Sequence, residues 1–316
     1  MQFIKKMIKY GFWVWAMVMM TGCTQKFFIQ TPTPSGMMYT DRLEKATNIT
    51  VADERVGVDK NFSIGRVPVI LTNIQDEMAF FKENLAKELK SRGLSATISD
   101  SKAADVYLNV YKYQMRNHQS TGFSPFQTAT TLGADFVRGG DVKKVAFYFR
   151  IGKVPILSMK EIVYPCYELP LSIMIKEVAS KINRLHFGLV MPTEKVQSLV
   201  NEINISKDNY MFLKVLELGY TNNPAAIDPL LKLTKHKDGY VRVSAICSLG
   251  VLGAVDQFEF LKGWYTSKDE DEKLMALKSI GDLNSPEAID FLRTIKNSDE
   301  YGHHRIKEVI DLFIRN

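Results

Sequence analysis

A repeat with a period of 31 residues most restricts how residues 192–316 can fold. The pairs Leu218-Gly219, Leu249-Gly250 and Ile280-Gly281 recur at this spacing. Five further apolar rows keep the period: Phe212, Val243 and Leu274; Val215, Ile246 and Leu277; Ile227, Phe258 and Ile289; Leu199, Leu230, Leu261 and Leu292; and Leu233, Trp264 and Ile295. Each unit holds two stretches with apolar residues three or four apart, which indicates a helical hairpin. Because one hairpin cannot bury its apolar face alone, the pattern predicts about four stacked units.

The second unit resembles the short, roughly 30-residue kind of HEAT repeat. Its residues 241–245 read Val-Arg-Val-Ser-Ala and are followed by Leu249-Gly250. Asp238 is placed to cap this helix, and we expect Gly250 to end it in a left-handed turn. The resemblance implies an all-α, HEAT-like αα-hairpin solenoid that binds a partner protein on its concave face.

An acidic run in the third unit is a candidate contact for a basic partner. It consists of Asp269, Glu270, Asp271 and Glu272. The alternative is a solvated loop that opens a helix, where acidic side chains suit the positive end of the helix dipole.

Residues 46–191 mix strand and helix patterns and predict an α+β domain with a mixed sheet and two main helices. Strands are expected over 48–53, 67–71, 94–98, 103–113, 144–151 and 156–164. The first helix is expected to follow a cap at Asn73, to bury Phe81 and Leu85, and to end at Gly93. The second helix is expected over residues 171–189.

Several short motifs of this domain resemble the YajG-type family of small bacterial lipoproteins. They are Asp53-Glu54-Arg55 at a strand end, Val56-Gly57 soon after, the spacing of Leu85, Leu89 and Gly93, and the strand that begins Ala104-Asp105-Val106-Tyr107-Leu108. The resemblance implies an envelope protein without catalytic activity.

The segment between residues 120 and 140 is expected to be a loop that carries Phe123, Phe126 and Phe136. One interpretation is a mobile, partly apolar loop that contacts a partner or acyl chains. The other is a hairpin excursion whose phenylalanines are buried in the core.

The N-terminus resembles a bacterial lipoprotein signal. Lys5, Lys6 and Lys9 precede a short apolar run, and Met20-Thr21-Gly22-Cys23 follows it. The run is too short to cross a bilayer, which takes about 20 residues. The resemblance implies that residues 1–22 are removed and that Cys23 carries lipid, including palmitate. Since Thr24 rather than Asp follows, it also implies anchoring in the outer membrane, facing the periplasm. The alternative is an ordinary signal peptide with an incidental cysteine.

Residues 23–45 are expected to be the lipid anchor and a flexible tether, because Pro32, Pro34, Ser35 and Gly36 interrupt any periodicity. The charge then divides along the chain: residues 23–191 carry 22 basic and 16 acidic residues, whereas residues 192–316 carry 16 and 19. A basic surface beside the anchor suits anionic lipid. So small an excess argues against nucleic acid as a partner.

No catalytic constellation is evident in the sequence. Walker, Gly-x-Ser-x-Gly and His-Glu-x-x-His motifs are absent, and the adjacent His303 and His304 cannot both face one ligand on a helix. Cys166 and Cys247 are expected to be buried thiols rather than a disulfide. We therefore expect neither an enzyme nor a cofactor or metal.

Three functions fit these features. The first is a scaffold or adaptor that binds another envelope protein through the repeats. The second is a component of lipid or lipopolysaccharide handling that uses the basic domain and binds lipid. The third is a regulator of a cell-wall synthase.

Replacing Cys23 tests the anchor. Cys23→Ala removes the thiol that would be acylated, so we expect a soluble or unprocessed protein that a fatty-acid probe no longer labels. Continued labelling of this variant would show that lipid, if present, is attached elsewhere.

Overall fold

The computed structural model describes residues 24–39, 46–101, 103–121 and 123–315. Eight strands lie in these ranges: β1 (Gln25–Phe27), β2 (Thr47–Asp53), β3 (Ser63–Gly65), β4 (Val69–Leu71), β5 (Ala96–Ser99), β6 (Val106–His118), β7 (Phe126–Arg138) and β8 (Asp141–Lys153). Two α-helices accompany them, α1 (Glu77–Ser91) and α2 (Leu169–Ile182). Eight more follow: α3 (Thr193–Ile205), α4 (Met211–Tyr220), α5 (Ile227–Leu233), α6 (Gly239–Leu252), α7 (Phe258–Tyr265), α8 (Glu270–Leu283), α9 (Pro286–Lys296) and α10 (His304–Ile310).

The main sheet is mixed and has the strand order β5-β2-β6-β7-β8. β2 runs parallel to both β5 and β6, whereas β6, β7 and β8 are antiparallel neighbours. β3 adds to β6, and β1 pairs with β4 in a separate two-stranded sheet. The predicted α+β N-terminal region followed by a helical region is therefore confirmed.

The predicted loop over residues 120–140 is wrong for most of its length. β7 occupies Phe126–Arg138 and pairs with β6 on one side and β8 on the other. Its threonines are β-branched and favour a strand, although its alanines and Gly133 obscured the pattern. The expected strand at 156–164 is also wrong, because short helical turns over Met159–Ile162 and Tyr164–Glu168 lie there. β7 already provides the antiparallel partner of β8.

The first helix of the sheet region begins later than predicted. Asp76, not Asn73, is its N-cap and accepts a hydrogen bond from the backbone of Ala79 at 2.9 Å. Asn73 instead bonds both backbone groups of Ile29, at 3.0 and 2.8 Å.

The expected flexible tether is wrong for residues 24–39, which pack against the fold. Phe27 and Ile29 are buried, and β1 is paired with β4. Ser35 donates hydrogen bonds from its backbone and hydroxyl to Glu88, at 2.8 and 2.5 Å. The Tyr39 hydroxyl donates to the carbonyl oxygen of Tyr220 at 2.8 Å. Alternating apolar residues give this segment a core-facing side, so burial outweighs its prolines. Residues 23 and 40–45 lie outside the described ranges.

The repeated glycines are close-packing points between helices, which corrects the expected helix end at Gly250. α6 continues to Leu252, and Gly253, with φ of 68°, provides the left-handed cap. A Cβ atom on Gly250 would lie only 2.5 Å from Cα of Ser279 in α8. Gly219 approaches Ser248 in the same way, with a Cβ position 2.9 Å from its Cα.

Two serines repeat with the glycines and connect the same helices. The hydroxyl of Ser248 donates to the carbonyl oxygen of Val215 at 3.0 Å, and that of Ser279 donates to Ile246 at 2.8 Å. α4, α6 and α8, which we call the inner helices, therefore pack against one another through equivalent contacts.

A buried cluster of four charges joins the sheet region to the inner helices. Glu177 and Lys181 come from α2, whereas Lys278 and Asp282 come from α8, and every side chain is at most 1% exposed. Lys181 Nζ lies 2.6 Å from Asp282 and 2.7 Å from Glu177. Lys278 Nζ lies 2.8 Å from Asp282 and also pairs with Glu177. The charges balance, which a cluster away from water requires.

The helical region also covers the open edge of the sheet. The backbone N–H of Lys144 in β8 donates to Asn284 Oδ1 at 2.7 Å, and Asn284 Nδ2 donates back to the Lys144 carbonyl at 2.9 Å. Lys181 donates to the next outward carbonyl, that of Ala146. These bonds occupy groups that would otherwise template pairing with another chain.

The close contact at Gly250 predicts that a glycine-to-alanine substitution changes stability in opposite directions at Gly250 and at Gly263. Gly250→Ala forces a methyl group against the backbone of Ser279, so we expect a loss of about 1–3 kcal/mol of unfolding free energy. Gly263, within α7, has no atom near its Cβ position. Gly263→Ala is therefore expected to stabilise by about 0.5–1 kcal/mol, from helix propensity. Urea unfolding measures both, and equal effects would refute the close contact.

The charge cluster predicts a large and partly reversible loss of stability. Lys278→Met leaves a carboxylate unpaired in the core and should cost about 3–5 kcal/mol of unfolding free energy. Adding Glu177→Gln restores the charge balance with Lys181 and Asp282, so the double variant should recover part of this loss. Lys87→Met, at an exposed pair with Glu83, is the control and should change stability by less than about 0.5 kcal/mol. A double variant no better than Lys278→Met would contradict charge balance as the cause.

The same cluster sets a pH dependence. Burial tends to raise the pKa of Glu177, but Lys181 and Lys278 outweigh it, and the pKa lies below its ordinary 4.5. The contribution of Glu177 to stability is therefore complete above pH 4.5 and is lost as the pH falls below that value.

Candidate functional site: a cationic cleft

The face of the sheet that α10 covers contains a cleft of about 370 Å³, which we call the cationic cleft. Its charged lining comprises Arg66, Arg116, Arg150, Arg305, His118, His304 and Glu308. Strand register creates its floor, because Arg116, Ala129 and Arg150 lie directly opposite one another on β6, β7 and β8. The small side chain of Ala129 leaves room between the two arginines.

Three of the four arginines already have acidic partners. Arg116 lies 3.5 Å from Glu308, and Arg150 lies 2.7 Å from Asp271. Arg305 pairs with Glu270. The remaining Arg66 is exposed and forms no ion pair within the described part of the chain. A cation without a partner at the mouth of the cleft suits an anionic group.

Tyr148, beside Arg150 on β8, adds an uncommitted hydroxyl to the lining. It is 2% exposed, and its oxygen has no hydrogen-bond partner among the described residues. Burial, together with the charge of Glu308, raises its pKa well above 10, so the hydroxyl stays neutral and can donate. Arginines and a hydroxyl can bind an oxyanion such as phosphate or carboxylate.

The predicted acidic contact run serves the protein itself. Asp269 caps α8 and accepts from the backbone of Asp271 and Glu272, at 2.9 and 3.2 Å. Glu272 is buried and bonds Arg242 at 2.5 Å. Asp271 and Glu270 face the arginines of the cationic cleft. Burial raises the pKa of Asp271 despite its partner Arg150.

The three phenylalanines of the expected contact loop do not form one surface. Phe126 and Phe136 lie on β7 and are buried, at 0% and 2% exposed. Phe123 lies in the turn before β7 and is 98% exposed. Of the three, Phe123 alone remains a candidate for contact with a partner or a membrane.

The predicted lipidation site and the residues before it lie outside the described residues. This applies to Cys23 and to Met20, Thr21 and Gly22 before it. Within the described ranges, no helix has the length and apolar character needed to cross a membrane.

The two remaining thiols are buried and free, as predicted. Burial raises the pKa of Cys166 and of Cys247 to about 12 in each case. Thiols with such pKa values stay protonated at neutral pH and are poor nucleophiles.

A second candidate surface lies on and between α7 and α9, and we call it the aromatic surface. It consists of Phe260, Trp264, Tyr265 and Phe291, all partly exposed. The rings of Tyr265 and Phe291 are 5.7 Å apart, and those of Phe260 and Trp264 are 6.5 Å apart. Partly exposed aromatic clusters are typical of protein-binding surfaces.

The sequence pattern did not reveal the cationic cleft, since its arginines come from four separate segments. The alternation of apolar and polar residues within β6 indicates which side chains share a face of the sheet, but it does not show which strand pairs with β6. The aromatic surface had a partial signal in Trp264, which belongs to an apolar row of the repeat.

No protein-family model matches the chain, and no curated protein matches its sequence. One solved structure, titled "Crystal structure of uncharacterized protein", aligns with 51% of this chain and 99% of its own chain. The two share 12% identity, and the TM-score is 0.31. This similarity is too weak to indicate fold or function.

Proposed function

We propose that this chain is a non-catalytic, lipid-anchored envelope protein that binds another envelope protein through its helical region. The anchor at Cys23, the outer-membrane location and the YajG-like ancestry of the N-terminal region rest on sequence motifs alone. The aromatic surface carries the binding proposal, because four large rings on neighbouring helices pack against the core there and are still partly exposed.

The helical region is proposed to be a HEAT-like array. The equivalent contacts of Gly219 and Gly250, and of Ser248 and Ser279, support this interpretation because they repeat with the period of the sequence. In such an array a partner usually occupies the side of the inner helices. Here that side meets α2 and β8 of the same chain, so we assign binding to the outward helices.

Lipid handling is the second candidate function. The cationic cleft favours it, since Arg66 and the hydroxyl of Tyr148 are uncommitted there. Binding of a phosphate-bearing lipid by the basic region would use these groups.

Truncating the aromatic surface tests the leading proposal. Phe260→Ala combined with Trp264→Ala removes two rings, and loss of interface aromatics of this kind typically costs 2 kcal/mol or more, or about 30-fold in affinity. Crosslinking in intact membranes followed by quantitative mass spectrometry should show a partner that the wild type captures and this variant loses.

Ile205→Ala is the control for an exposed apolar residue outside the aromatic surface, since Ile205 on α3 is 79% exposed. Thermal unfolding must show that both variants are folded. Equal capture by the double variant and the wild type would refute the aromatic surface. Point substitutions are preferable to deleting residues 192–316, because deletion would expose Glu177, Lys181 and the edge of β8.

A further inference from the structure

Two turns extend the sheet at one end and carry exposed apolar side chains. Phe126 and Lys153 are paired at that end, so Pro125 and Val154 leave the sheet from neighbouring positions. Phe123 is 98% exposed, Leu157 is 89% exposed and Val154 is 55% exposed. We call these three residues the apolar tip. Large side chains so fully exposed on adjoining turns are unusual unless they meet something.

The two chain segments that carry the apolar tip are basic in sequence. Residues 116–127 and 150–161 contain Arg116, Arg150, Lys153 and Lys160 but a single acid, Glu161. The cationic cleft extends to this end of the sheet, since His118 and Gln127 line it. Arg116 and Arg150 are paired with Glu308 and Asp271, so Lys153 and Lys160 are the cations left to contact a ligand beside the tip. Such cations next to exposed apolar side chains suit an anionic bilayer, in which phosphates lie above acyl chains.

The start of the described chain lies beside the same end. The backbone N–H of Gln25 donates to the carbonyl oxygen of Pro68 at 2.8 Å. The neighbouring Val67 is bonded to the side chain of Asn117, near the end of β6, at 3.0 and 2.9 Å. Thr24, the residue after Cys23, therefore precedes a segment that is connected through Pro68 and Val67 to the end of β6 from which the chain runs on to the apolar tip. Phe28, 71% exposed, follows β1.

We propose that the apolar tip docks on the surface of an anionic lipid bilayer, with Phe123 and Leu157 entering the headgroup region. This inference rests on the proposed lipid anchor, which would bring this end of the molecule to a membrane. The proposed lipid on Cys23 would hold the chain at the membrane, and the apolar tip adds a second contact with the bilayer. It also fixes the orientation of the sheet relative to the bilayer.

A fluorescent reporter tests the docking directly. We would prepare the unlipidated chain from Thr24 onward with Trp264→Phe and Phe123→Trp, so that position 123 holds the only tryptophan. With vesicles rich in phosphatidylglycerol, emission should shift to the blue and be quenched by brominated acyl chains. With pure phosphatidylcholine vesicles, the response should be much smaller, and added salt should weaken the phosphatidylglycerol response.

Vesicle co-sedimentation compares variants of the same chain. Phe123→Ser with Leu157→Ser should weaken binding to phosphatidylglycerol vesicles by about tenfold or more, because two apolar side chains no longer leave water. Lys153→Gln with Lys160→Gln should weaken it without affecting folding. Ile205→Ser, an exposed apolar residue on α3, should bind as the wild type does.

Three results would overturn the docking proposal. The first is unchanged vesicle binding by the Phe123 and Leu157 variant, and the second is no response of the tryptophan reporter to vesicles. The third is a wild-type dimer, seen without vesicles, that this variant loses. That result would mean that the tip contacts a second copy of the chain. Failure here leaves the anchor standing if a fatty-acid probe still labels Cys23. The vesicle experiments use the unlipidated chain without a protein partner. Their result therefore tests the apolar tip separately from the anchor at Cys23 and from protein binding.

Discussion

The balanced charge cluster between α2 and α8 is the interaction on which the arrangement of the molecule depends. Two lysines and two carboxylates leave water together, and each one needs the others because an unpaired charge in the core would be prohibitive. The sheet region supplies two of the four charges and the inner helices supply the other two. If the two regions separated, each pair would lose its partners and become exposed to water. The sheet edge at Lys144 and Ala146 is bonded from the same side. The two regions consequently form one body.

This union determines which surfaces remain for function. The inner helices pack on α2 and the sheet, so the outward helices and the far end of the sheet stay accessible. The aromatic surface lies on the outward helices, the apolar tip lies at the far end of the sheet, and the cationic cleft lies between the sheet and α10. The proposed membrane contact and the proposed protein contact therefore use separate parts of the chain, as an anchored adaptor requires.

The sequence predicted secondary structure correctly where the apolar residues that recur at a regular spacing are also the residues that the fold buries. The helices at 211–220, 239–252 and 270–283 follow from the apolar rows, and the core face of β6 follows from Val106, Leu108 and Val110. These predictions failed where a segment is buried by contacts with residues far away in the sequence. β7 forms because β6 and β8 pair with it on both sides, although its Thr- and Ala-rich sequence shows no clear apolar alternation. Residues 24–39 pack because Asn73 and Glu88 supply bonds from far along the chain. The prediction of a contact loop containing Phe126 and Phe136 was wrong for the same reason.

The sequence by itself determined the class of each half, the repeat period and the buried state of both cysteines, because these depend on local spacing and apolar content. It also indicated Asp238 as a helix cap, which accepts from Tyr240 at 2.8 Å. Only the tertiary structure decided the role of Gly250, the pairing of Lys278 with Glu177, and the assembly of Arg66, Arg116 and Arg150 into one cleft. These features join residues that are dozens of positions apart, and no local pattern encodes which distant side chain will balance a buried charge.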